Sequence, residues 1–213
     1  MREPGGRPMV KVLVFAGSAR RDSLNKKLAR IGARHVAASG GEATFVDLQD
    51  YPMPLYHGDL EAAEGPPPNA RKLREVFLAH DALLIASPEN NSSVTALLKN
   101  TLDWLSRSLG DGHGVNSGLA PYRGKLAGLM SASPGPFAGV RGLPHLRQIL
   151  SSLGVTVLGA QVSIPRADRA FTAQGELVDA EQDRLVAKLA HAVVDTARKL
   201  REAPDPPRIM QDH

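Results

Sequence analysis

Short, almost wholly apolar runs alternate along this chain with longer stretches in which apolar residues recur every three or four positions. The first kind predicts strands near Met9 to Ala16, Ala43 to Leu48, Ala82 to Ala86, Lys125 to Ser131 and Val155 to Val162. The second predicts helices near Leu24 to Ala38, Asn69 to Ala79, Val94 to Arg107, Val140 to Leu153 and Ala180 to Arg201. Strands that are apolar on both sides need cover on both faces, and strands separated by helices are joined by crossovers. The pattern therefore implies α/β architecture, a parallel doubly wound sheet between helical layers. Sheets of this kind bind ligands beyond the carboxyl ends of their strands, which directs attention to the strand-to-helix loops.

Punctuation along the chain supports these boundaries. Asp179 and Gln182 form a candidate capping pair, and Leu185, Val186, Leu189, Val193, Val194, Ala197 and Leu200 supply a stripe for the last helix. Gly154 suits a left-handed helix stop, Pro144 belongs in a first turn, and Glu64 to Pro68 breaks structure before the second helix. We expect one domain over 9–201, with loose ends at 1–8 and 202–213.

Three loops carry candidate chemistry. After the first strand comes Gly17-Ser18-Ala19-Arg20-Arg21-Asp22-Ser23-Leu24-Asn25. Gly17 permits a tight turn, Ser18 and Ser23 offer hydroxyls, Arg20 a charged fork and Asn25 an amide, all beside helix amides that favour an anion. Lys26 and Lys27 oppose the helix dipole at that end, which a bound phosphate would explain. Taken singly, Ser23 reads equally well as a plain helix cap and Arg20 as a solvated arginine. The second loop, Pro88-Glu89-Asn90-Asn91, leads into a helix whose apolar face is Val94, Leu97, Leu98, Thr101, Leu102 and Leu105; alone it is a polar turn. The third loop runs from Ser131 through Ser133 and Gly135 to Arg141.

Together, Gly-Ser-x-Arg-x-x-Ser-x-Asn, Pro-Glu-x-Asn, Leu-Lys-Asn-x-Leu-Asp-Trp-Leu-Ser-Arg and the Ser131–Arg141 loop resemble the NADPH-dependent FMN reductase family, in the right order over roughly Val10 to Leu200. The resemblance implies a flavodoxin-like three-layer sandwich with a five-stranded parallel sheet of order 2-1-3-4-5. It implies that Ser18, Arg20, Ser23 and Asn25 hold the FMN phosphate, that Pro88, Glu89, Asn90 and Asn91 meet the isoalloxazine edge, and that Ser131, Ser133 and Gly135 flank the ring or ribityl chain. Hydride from NADPH, with NADH also allowed, would pass through FMN to a small-molecule acceptor such as a quinone, azo compound, chromate or free flavin. A homodimer or homotetramer is implied as well, with Leu102, Trp104 and Leu105 as candidate contacts; Trp104 reads equally as core. Two features depart from the family: Asn90 stands where an aromatic is usual and Ser92 where a glycine is usual, and the glycine-bearing stretch from Ser108 to Gly124 is longer than the usual connection.

Composition narrows the alternatives. The 213 residues, 42% hydrophobic and 23% charged, suit one well-buried core. A net charge of +4 is dispersed, without the basic block or aromatic-interleaved stripe of a nucleic-acid binder, and fits capture of anionic nucleotides. With no cysteine there is no disulfide, thiolate metal site or redox dithiol, so electron chemistry must come from a cofactor. Neither a nucleophile elbow nor a His-Glu-x-x-His zinc motif occurs, and Gly110-x-Gly112 and Gly124-Lys125 fail the dinucleotide and P-loop spacings. No run is long enough for a membrane span and the first eight residues lack a signal-like apolar centre, so a cytoplasmic location is expected. Two readings from other classes stay open: a noncatalytic flavodoxin-like electron carrier, which is typically more acidic, and a flavin-free scaffold or regulatory protein.

Overall fold

The computed structural model describes residues 9–108 and 117–202. The expected loose ends at 1–8 and from 203 onward, and much of the 108–124 stretch, lie outside the described residues. Strands β1 (Lys11–Ala16), β2 (Glu42–Val46), β3 (Ala82–Ala86), β4 (Leu126–Ala132) and β5 (Thr156–Ile164) form one parallel sheet in the order β2-β1-β3-β4-β5. The helices are α1 (Leu24–Ala38), α2 (Gly58–Glu64), α3 (Pro68–Leu78), α4 (Ala96–Leu105), α5 (Gly142–Ser152) and α6 (Ala180–Glu202).

Alternation along β1 shows how the layers arise. Val12 and Val14 pack with Leu28 and Ile31 of α1 and Val193 of α6, whereas Leu13 and Phe15 face Phe77 of α3, Leu102 of α4 and Leu146 of α5. Every strand of this central region is thus buried on both sides, as its unbroken apolar runs require. α1 and β3 span the predicted limits, and Gly154 adopts φ +88° behind α5. Strand order reverses between β1 and β3, and the loops after both strands open at that switch point.

Several boundaries moved for physical reasons. α4 starts at Ala96 rather than Val94, because Thr95 takes the cap position and its hydroxyl accepts the Leu98 amide at 3.1 Å. α2 has no buried residue, so no apolar stripe announced it. α6 continues through Glu202, which places the first residue of the expected tail in a helix, and it leaves Leu185 and Leu200, two members of the predicted stripe, exposed. Asp179 caps that helix, accepting the amides of Glu181 and Gln182. Leu102, Trp104 and Leu105 are buried within the chain, and the Trp104 indole donates to the Pro54 carbonyl at 2.8 Å. They are core residues, and the suggestion that they form a subunit contact is withdrawn.

Candidate cofactor cleft

A cleft of ≈ 490 Å³ opens where the carboxyl ends of β1, β3 and β4 meet the start of α1. That volume lies within the roughly 300–1,000 Å³ of small-molecule sites. Ser18, Arg20, Ser23 and Asn25 line one end, Pro88, Glu89 and Asn90 a second wall, and Ser133 and Pro134 a third. The three loops named by the sequence converge.

At the α1 end the backbone conformation is held by the loop's own side chains. Ser18 Oγ accepts the Arg20 amide at 3.3 Å, and the buried Ser23 caps α1 by accepting the Lys26 amide at 3.3 Å. The first amides of α1 have no acceptor within the helix and face the same space. Arg20 is exposed, and among the described residues its guanidinium bonds only the Asp22 carbonyl at 3.3 Å, which leaves it available to a ligand. Asn25 is used differently: its amide nitrogen donates to the Ala132 carbonyl at 2.8 Å, and its oxygen accepts the Ala132 amide at 2.9 Å. It rivets α1 to the end of β4. Lys26 does not face the phosphate end; its buried ammonium pairs with Asp47 at 2.7 Å, beyond β2. The phosphate argument drawn from Lys26 therefore fails, although Lys27 is half-buried beside Phe171.

The second loop closes on itself. Asn90 and Ser93 exchange both backbone hydrogen bonds at 3.0 Å, with Asn91 and Ser92 between them at φ 50° and 63°. This tight turn leaves Asn90 exposed on the cleft and carries Asn91 into an adjoining groove of ≈ 750 Å³ between α4 and α5. Thr95, not foreseen as a site residue, donates to the Gly17 carbonyl at 2.7 Å and so clamps the second loop to the first. Its sequence signal, a Thr near the start of an amphipathic run, was masked by the apolar Val94 before it.

Glu89 joins the second loop to the third. Its carboxylate, 7% exposed, accepts the amides of Arg141 at 2.8 Å and Gly142 at 3.0 Å, and the Arg141 guanidinium at 2.6 Å. Burial alone would push this carboxyl up, but donation from the Arg141 side chain and from the two amides holds it below the usual carboxylate range. The latch also supplies acceptors to the start of α5, where Arg141 itself makes no side-chain cap. Within the third loop, Ser133 Oγ accepts the Gly135 amide at 3.2 Å. Gly135 and Ser131 do not line the cleft. Ser131 is enclosed beneath Gly139, whose φ of 75° and approach to the Ser131 hydroxyl leave no room for a Cβ.

A parallel sheet of order 2-1-3-4-5 with helices on both faces and a cleft at its switch point is the flavodoxin-like fold. Residues 10–169 match the NADPH-dependent FMN reductase family, and the chain belongs to it. It is 36% identical to an NAD(P)H-dependent FMN reductase of Pseudomonas aeruginosa over 90% of this chain and 97% of that one. It is 34% identical to a quinone reductase of Pseudomonas putida, over 79% of this chain and 84% of that one. Among solved structures, the flavoenzyme NAD(P)H:(acceptor) oxidoreductase of Paracoccus denitrificans superposes with a TM-score of 0.74 at 28% identity, covering 90% of this chain and 98% of that one. The protein is accordingly an FMN-dependent, NAD(P)H-oxidising enzyme. Among the described residues no helix is long and apolar enough to cross a membrane.

Proposed function

We propose that this enzyme carries hydride equivalents from NADPH to a planar acceptor, a quinone in the first instance, in two half-reactions at one cleft. In sum, NADPH, a proton and quinone yield NADP⁺ and hydroquinone. The relatives named as quinone reductases favour that acceptor class. The observation that carries the reading is the convergence of the three loops on the ≈ 490 Å³ cleft at the sheet's switch point.

Bound FMN would supply a ring that takes up a hydride and gives back two electrons. The chain's own residues bind and orient. Ser18, Arg20, Ser23 and the amides at the start of α1 hold the phosphate, where hydroxyl donors, one free guanidinium and a helix terminus suit a dianion. Asn25 acts through Ala132, fixing the distance between the phosphate loop and the third wall. The Asn90 amide is engaged within its turn and Asn91 lies in the adjoining groove, which leaves the Glu89 amide as the ring-edge donor where negative charge grows on reduction. Ser133 and Pro134 close the opposite side. No side chain need shuttle the hydride, so orientation of the two reactants is the protein's main contribution.

Purified protein should show oxidised-flavin absorption that bleaches on anaerobic addition of NADPH and returns on addition of a quinone. Colour that NADPH does not bleach would favour a noncatalytic electron carrier; failure to take up FMN would favour a flavin-free scaffold. A homo-oligomer in the cytoplasm accords with the family, with its contact outside Leu102, Trp104 and Leu105.

A further inference from the structure

NADPH differs from NADH by a single 2′-phosphate, a dianion at the adenosine end of the molecule, remote from the ring that delivers hydride. An enzyme that tells the two apart needs unpaired cations near the cleft but outside it. Two depressions adjoin the cleft. The groove between α4 and α5 shares Asn90, Thr95 and Ala96 with it, but its lysine, Lys99, is already paired with Asp103 at 2.8 Å. At the third wall, Pro134 also lines a hollow of ≈ 330 Å³ together with Pro136, Arg166, Asp168 and Arg169. Both arginines are exposed, and among the described residues neither guanidinium makes a hydrogen bond or an ion pair.

The turn that carries them follows β5 and is fixed to the cleft. The Ala167 amide donates to the carbonyl of Ser133, a cleft residue, at 3.0 Å, and the Arg166 amide to the Gly135 carbonyl at 3.4 Å. Ala167 is buried, and Arg166 adopts φ 46°, a left-handed conformation uncommon for a residue with a side chain. The Arg169 amide donates to the Arg166 carbonyl at 3.1 Å, which closes the turn between the two arginines. A carboxylate alone would serve the free ribose hydroxyl of NADH. Beside two guanidiniums Asp168 is outweighed, and the planar fork of an arginine matches the oxygens of a phosphate.

We propose that Arg166 and Arg169 bind the 2′-phosphate of NADPH, with the nicotinamide in the cleft and the remainder of the dinucleotide crossing Pro134, so that this pair sets a preference for NADPH over NADH. The proposal rests on the FMN reading of the cleft and adds the far end of the hydride donor. The test compares the two dinucleotides with one benzoquinone as acceptor. Arg166→Ala and Arg169→Ala should each raise KM for NADPH about tenfold, the effect of losing one hydrogen bond to a charged group, with kcat and the KM for NADH unchanged. Calorimetry adds a readout without turnover: adenosine 2′,5′-bisphosphate should bind the wild type more tightly than adenosine 5′-monophosphate, and the double variant should bind the two equally. Equal losses with NADPH and NADH would assign the arginines to the part of the dinucleotide that both share, and unchanged KM values would leave them without a role; either result overturns the proposal. So would a wild type that does not prefer the bisphosphate. Failure of the FMN reading is seen separately, as a wild-type protein whose absorption spectrum shows no uptake of FMN.

Discussion

The two ends of the cleft are built by opposite strategies. At the α1 end the binding loop is shaped by bonds that span two or three residues: Ser18 to Arg20, Arg20 to Asp22, Ser23 to Lys26. At the ring end the loops are positioned by partners far apart in the chain, Glu89 with Arg141 and Gly142, and Thr95 with Gly17. Asn25 belongs to both, a residue of the first loop that holds the end of β4, 107 positions away. A locally formed end can be altered one group at a time with local consequences. The ring end cannot, because each of its bonds sets the spacing between two walls.

The largest effect is expected where the two ends are joined. Replacing Asn25 by Ala strands the buried amide and carbonyl of Ala132 and should cost about 2–6 kcal/mol, one to three for each unsatisfied group. Urea unfolding would report it, and FMN affinity should fall with it. A loss below about 1 kcal/mol would show that water replaces the side chain and that the ends are not coupled through it.

Arg20→Ala tests the locally built end alone. Its guanidinium bonds the Asp22 carbonyl at 3.3 Å and is exposed, so stability should hold while FMN binding weakens by about 1.5–3 kcal/mol, the worth of a hydrogen bond to a charged group. Unchanged flavin affinity in a fluorescence titration would remove Arg20 from the site and leave Ser18, Ser23 and the helix start to hold the phosphate.

At the ring end, Glu89→Gln removes the charge from the latch and should destabilise by about 1–2 kcal/mol, since hydrogen bonds persist but weaken. Because the folded-state pKa of Glu89 is depressed, its contribution is present above the unfolded pKa and is lost as pH falls through the folded one. Wild type should therefore lose stability relative to the Gln variant only below about pH 4. A difference between the two that stays constant down to pH 2 would show that charge is not what holds the latch.

The same contrast explains what could be seen in the sequence. Strands, helical layers and the three loops were legible because apolar runs and short-range caps are written in consecutive residues, whereas the strand order came from the family resemblance. Ser18 and Ser23 of the first loop line the cleft. The rivet of Asn25 to Ala132, the latch of Glu89 to Arg141 and the pairing of Lys26 with Asp47 join residues 21 to 107 positions apart, and no local pattern marks the partner. Helix α2 escaped notice for a related reason: it buries none of its residues and so has no periodicity to read. The reading of Trp104 as core or contact was resolved only by burial, because a tryptophan in an apolar stripe suits either.

The smallest effect on folding, and the finest probe of the ring end, is expected from Asn90→Tyr. Asn90 is exposed, and its own φ is unstrained because the turn's left-handed positions fall on Asn91 and Ser92. A tyrosine therefore fits without moving the backbone, and stability should change by less than about 0.5 kcal/mol. FMN affinity should also hold, since the Asn90 amide, already bonded to Ser93, is unchanged. What should change is acceptor preference, because a ring on the second wall narrows the space left in the cleft for a flat reactant. Parallel kinetics with a benzoquinone and free flavin would show a shift in their kcat/KM ratio, and the larger acceptor should lose more as the gap between the two walls narrows. If the ratio stays constant, side chains at position 90 do not reach the reacting ring, and acceptor choice at this end of the cleft is left to the third loop.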